Sequence, residues 1–94
     1  VNQDTPLIAV CYSGKLEVVK LLVEAGADVN ATNWSGRTPL MCAAAYGHTE
    51  VVRFLLTNGA FVDEKNKYGE TAGIIAFKNG HKEVVTLINE YKKK

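Results

Sequence analysis

His48 and His81 are the only histidines of the chain, and each directly follows a glycine, 33 residues apart. A shared metal ion is the first chemistry such a pair suggests. On successive stacked helix pairs, however, side chains one unit apart lie about 10 Å from each other, too far to bind one ion together. Cys11 and Cys42 are out of step with that spacing and read as small core residues, so neither a metal ligand nor a disulfide is expected of them. Asp28 and Asp63 read as turn residues rather than an acid–base pair. No Cys/His or Ser/His arrangement and no Gly-rich phosphate loop appears. No catalytic group, metal site or cofactor site is expected of the chain, and an enzyme is not expected.

What the spacing does reveal is a period. Thr5, Thr38 and Thr71 recur at a step of 33, as do Gly14, Gly47 and Gly80, and Glu17, Glu50 and Glu83. The valine pairs Val18-Val19, Val51-Val52 and Val84-Val85 keep the same register. A fixed period of this size means stacked copies of one unit too small to fold alone.

The middle copy shows the unit whole. Asn33-Trp34-Ser35-Gly36-Arg37 is turn-rich, and Thr38-Pro39 reads as a helix start, with the hydroxyl as cap and proline at the first helical position. Leu40 to Tyr46 is a short helix of mostly small residues, ended by Gly47. A second helix is predicted from about Thr49 to Asn58, with Val51, Phe54 and Leu55 on one buried stripe, closed by Gly59.

Thr38-Pro39-Leu40 with Ala43-Ala44, then Gly47-His48 and Gly59-Ala60, closely resembles the ankyrin repeat. Gly26-Ala27-Asp28-Val29-Asn30 matches that family's inter-repeat segment residue for residue. The resemblance covers nearly the whole chain and implies an all-α solenoid of stacked antiparallel helix pairs, with short β-hairpin-like loops projecting between them. Residues 1–94 are expected to form a single domain, with repeats at approximately 1–32, 33–65 and 66–94. The resemblance also implies that His48 and His81 support their turns. Asn33 and Asn66 stand where the family usually has Asp, and Ile8, Met41 and Ile74 where it usually has His, neither of which threatens the fold.

The two ends differ. In the third copy Ala72-Gly73 replaces Pro-Leu, Thr86, Asn89 and Glu90 make the second helix more polar, and Lys92 replaces the closing glycine. That copy reads as a C-terminal cap with a polar outer face. Leu7-Ile8-Ala9-Val10-Cys11 is apolar on every side of its helix, and Gln3 stands where Gly36 and Gly69 do. This end is expected to be uncapped: cut from a longer array, covered by another molecule, or a site of self-association.

Charge narrows the partner. The net charge is +1, with 47% hydrophobic residues. Residues 1–33 carry −2, residues 34–63 balance, and residues 64–94 carry +3, all of it matched by the last three lysines, which read as a solvated tail. Such a near-neutral total disfavours nucleic acid. With no signal peptide and no apolar run near 18 residues, no membrane insertion is expected, and the setting is intracellular, cytoplasmic or nuclear.

The resemblance makes the concave surface of turns and first helices the usual binding site for a partner protein. The matching positions are Tyr12 and Ser13; Thr32, Trp34, Ser35, Arg37, Ala45 and Tyr46; and Lys65, Lys67, Tyr68, Glu70, Lys78 and Asn79. Trp34, Arg37 and Tyr46 form the expected centre, since aromatics and arginine most often anchor interfaces. A spacer or scaffold segment, whose recognition site lies in other repeats, is the alternative. Finally, Leu22 with Asp28-Val29-Asn30 resembles the setting in which ankyrin-repeat asparagines are hydroxylated by a 2-oxoglutarate-dependent dioxygenase. Asn30 is therefore a modification candidate, against its plain reading as a turn hydrogen bonder.

Overall fold

Thr5, Thr38 and Thr71 each stand in extended backbone just ahead of a helix. Their hydroxyls accept from the amides of Ile8, Met41 and Ile74 at 3.1, 3.2 and 3.3 Å, satisfying donors that the first turn leaves free. The structure, a computed structural model, describes residues 3–93. Lys94, the last lysine of the terminal run, lies outside the described residues. The helices are α1 (Pro6–Ser13), α2 (Leu16–Glu24), α3 (Pro39–Ala45), α4 (Thr49–Thr57), α5 (Ala72–Lys78) and α6 (Lys82–Lys92).

They form three pairs, α1/α2, α3/α4 and α5/α6, and the pairs stack: α3 packs between α1 and α5, and α4 between α2 and α6. The whole measures 29 × 25 × 21 Å. No strand forms among the described residues; the projecting turns are joined by single bonds such as Lys67 N–H to the Ser35 carbonyl, 2.9 Å. No helix among them is long and apolar enough to cross a membrane.

Burial follows position in the stack. Every residue of α3 is buried, because a helix pair covers it on both sides. The valine pairs show the direction of each side chain. Val51 and Val52 are both buried, Val18 is exposed while Val19 is buried, and Val84 is buried while Val85 is only half-buried. The first valine of each pair therefore faces the preceding copy and the second faces the following one.

The histidines stitch the copies together. His48 Nε2 lies 2.9 Å from the Tyr12 carbonyl oxygen, and His81 Nε2 lies 3.1 Å from that of Ala45. Each ring sits over a glycine of the preceding copy. A Cβ on Gly14 would come within 2.4 Å of the His48 ring, and one on Gly47 within 2.6 Å of the His81 ring. Both glycines also hold left-handed backbone, with φ of 70° and 72°, so they answer two demands at once.

One expectation needs correction. The outer side of the last copy is polar only on α6, where Thr86, Asn89 and Glu90 are exposed. On α5 the outer residues Ile74 and Phe77 are apolar and exposed. A helix seven residues long must bury its small face, Ala72, Ile75 and Ala76, against α3, which leaves its bulky apolar residues pointing outward.

Candidate protein-binding surface

The turns that present the surface are organised by two buried asparagines. Asn33 Oδ1 accepts from the amides of Ser35 and Arg37, both at 3.0 Å, and Asn66 Oδ1 accepts from those of Tyr68 and Glu70 at 2.9 and 3.0 Å. Each side-chain amide also donates, Asn33 Nδ2 to Asp4 Oδ1 at 2.9 Å and Asn66 Nδ2 to Glu70 Oε1 at 3.1 Å. An aspartate could make the first set of bonds but not the second. The residue type that departs from the family pattern is thus used for its extra donor.

On these turns Trp34 and Tyr68 stand out into solvent, 72% and 71% exposed. The Lys67 ammonium lies 5.4 Å from the Tyr68 ring centre. Tyr46, at the end of α3, is 59% exposed. Its ring meets Tyr12 edge-on at 5.7 Å and lies 6.2 Å from the His48 ring. Tyr12 itself is half-buried, and its hydroxyl is pushed up to about 12, chiefly by burial and then by a hydrogen bond with Cys42, against the opposing pull of Arg37. Arg37 therefore reaches inward to the Tyr12–Tyr46 pair, and Trp34 makes no ring contact with that pair. The expected centre is divided: Arg37 and Tyr46 join through Tyr12, while Trp34 stands apart at the turn tip.

The third-copy positions form a charged end. Lys78 bonds Glu70, whose carboxyl is held below its usual range by that ammonium and by Asn66. Arg37, Glu70, Lys78 and Asn79 line one shallow hollow together with Ile75. Lys65 and Lys67 are exposed, as are Thr32 and Ser13, the latter with its hydroxyl donated to the Val10 carbonyl at 3.0 Å. Ser35 is half-buried in its turn.

Ala45 is corrected. Its side chain is 93% shielded by the fold, at 7% exposure, and its carbonyl is taken by both Asn79 Nδ2, at 2.9 Å, and His81. The following copy closes over it, so it offers a partner nothing, and Asn79 spends its amide on the same bond. Asn30 is likewise engaged. Its Nδ2 donates to the Gly59 carbonyl at 3.0 Å, its Oδ1 accepts from the Phe61 amide at 2.8 Å, and its own amide bonds Asp28 Oδ1 at 2.9 Å. It bridges the first copy to the second.

The thiols lie beneath this surface. Burial pushes Cys11 up to about 12, with a further contribution from nearby Cys42, and pushes Cys42 up to about 11. Both are free and buried. Thiols so far from ionisation are poor nucleophiles and poor metal ligands.

The family described as Ankyrin repeats (3 copies) matches residues 1–66. No curated protein matches the chain. The third helix pair lies beyond the matched residues, yet it keeps the threonine cap, the histidine bond and the glycine beneath that histidine.

Proposed function

We propose, from the premise that this chain belongs to the ankyrin-repeat family, that it binds another protein through the surface formed by Trp34, Tyr46, Tyr68 and Arg37. Ankyrin repeats generally serve as protein–protein interaction modules and are typically not catalysts. The observation that carries the reading is the exposure of three large aromatic side chains on backbone that is otherwise fixed by hydrogen bonds. Trp and Tyr bury much area for little rotamer entropy, and a rigid stack adds little further ordering cost. The Glu70–Lys78 pair and Lys65 and Lys67 at one edge would orient the partner and speed encounter more than they would add affinity.

The test is capture of partners from extract by the wild-type chain and by a Trp34→Ala/Tyr46→Ala variant, read by mass spectrometry. Hot-spot aromatics each contribute about 2 kcal/mol or more, so a true partner should be lost from the double variant while circular dichroism stays unchanged. Partners retained equally by both would move the site elsewhere. Absence of any partner would leave the stack as a spacer.

A further inference from the structure

We infer that the Asn58–Gly59 step is a site of self-modification. The Gly59 amide nitrogen closes on the Asn58 side chain, and water opens the ring to aspartate or isoaspartate at position 58. The step lies just past α4, outside the candidate binding surface.

Seven asparagines occur in the chain, and only Asn58 and Asn79 precede glycine. Elsewhere the following residue carries a Cβ that crowds its own amide nitrogen, whereas glycine has none and turns freely in φ and ψ. Once hydroxide has taken the Gly59 amide proton, the nitrogen attacks Asn58 Cγ. The N–Cγ bond forms, the Cγ–Nδ2 bond breaks, and ammonia leaves with a proton from water, which regenerates hydroxide. Water then adds to one carbonyl of the cyclic imide. Opening at Cγ gives aspartate; opening at the former backbone carbonyl gives isoaspartate, whose main chain runs through Cβ. One water is consumed and one ammonia released, and nothing is oxidised or reduced.

The two Asn-Gly steps share a backbone shape but not a restraint. Each asparagine ends a helix, Asn58 at φ −111° and ψ 23° and Asn79 at φ −94° and ψ 5°, and each glycine holds positive φ. Ring closure must break this shape, so the rate depends on what opposes opening. Gly59 N–H reaches the Leu56 carbonyl at 3.5 Å, beyond the ordinary range for such a bond, whereas Gly80 N–H reaches that of Phe77 at 3.1 Å. Asn58 Nδ2 donates to the Phe54 carbonyl at 2.8 Å and to Thr57 Oγ1 at 3.4 Å, exposed bonds within the last turn of its own helix. These are lost together when that turn frays. Asn79 Nδ2 instead donates at 2.9 Å to the Ala45 carbonyl of the preceding copy, a half-buried bond to an acceptor that His81 also holds. It ties Asn79 to the second copy, so the end of α5 opens less readily than the end of α4.

The product bears on a bond between copies. The Gly59 carbonyl and the Phe61 amide are the two groups that the Asn30 side chain holds, at 3.0 and 2.8 Å. Isoaspartate lengthens the main chain immediately before them, and either product sets a carboxylate at the negative end of α4, where its charge is unfavourable. The modified chain therefore holds its first copy less tightly to its second.

Incubating the full chain at mildly alkaline pH, folded and in urea, tests this. Its peptides are followed in time by mass spectrometry with electron-transfer fragmentation, which separates aspartate from isoaspartate. In the folded chain the Asn58 peptide should exchange its NH2 for OH about fivefold or more faster than the Asn79 peptide, the factor that one hydrogen bond supplies. In urea the two rates should converge. No product at Asn58, or one that forms no faster than at Asn79 in the folded chain, would overturn the inference. A gap that persists in urea would assign the difference to local sequence and overturn the structural argument. Isoaspartyl chains separated by ion exchange should exchange the Phe61 amide hydrogen faster than the unmodified chain, and unchanged exchange would overturn the loosening between copies.

Discussion

Helices α3 and α5 are equivalent by sequence register and opposite in exposure. Met41 and Ala44 are 1% and 0% exposed; Ile74 and Phe77, one period on, lie open. Ile74 and Phe77 are no more polar than Met41 and Ala44, and both helices begin with the same threonine cap. The difference lies in the neighbour: α3 has a helix pair on each side and α5 has one. In a solenoid, burial belongs to the interface between copies rather than to the residue.

The sharpest test of that view replaces equivalent residues. Met41→Ala should destabilise the fold by about 2–5 kcal/mol, the usual cost of a buried large-to-small change. Ile74→Ala in the monomer should cost under about 1 kcal/mol. Urea denaturation at low protein concentration measures both, and equal losses would break the comparison. The glycines give the next largest contrast. Gly47→Ala meets left-handed strain and the His81 ring, and should cost about 2–4 kcal/mol. Gly80→Ala meets strain alone and should cost about 1–2 kcal/mol. Thermal midpoints of the two variants would show the order.

A third contrast lies in the inter-repeat segments. Asn30 bonds the backbone of the second copy twice, whereas Asp63 at the same register holds Lys92 Nζ at 3.1 Å in an exposed ion pair. Asn30→Ala should therefore cost about 1–3 kcal/mol, and Asp63→Ala less than about 1 kcal/mol, in the same denaturation assay. The smallest effect is a gain. Gly73 sits within α5 at an ordinary helical φ, and a Cβ there would meet Ile88 Cγ2 at 3.8 Å, ordinary contact distance. Gly73→Ala should stabilise the chain by up to about 1 kcal/mol, seen as a higher urea midpoint.

Much of this was legible in the sequence because its causes are local. A threonine followed by a helix caps it wherever the helix lies, and a glycine that must hold positive φ recurs at each turn. The 33-residue period ordered the pairs, but the spacing of Val51, Phe54 and Leu55 gave only part of the buried face of α4: Phe54 is half-buried, and Val52 and Leu56 join Val51 and Leu55 in the core because a copy lies on each side. The candidate surface was legible only in part. Trp34 and Tyr68 stand exposed on their turns, but Ala45 is sealed by the copy that follows it, and Trp34 stands away from the Arg37–Tyr12–Tyr46 group. The donor role of Asn33 and Asn66 carried a signal, an amide where the family prefers a carboxylate. Its meaning needed the positions of Asp4 and Glu70.

The sequence by itself determined the unit: its caps, its helices, its turns and its threefold repetition. Those features depend on interactions spanning a few residues, which the chain order states directly. The tertiary structure alone decided which apolar side chains of equal chemistry end buried and which end open. That outcome depends on whether a neighbouring copy lies above or below each pair. Ala44 and Phe77 share a register but not a neighbour, and only the stack assigns one to the core and the other to solvent.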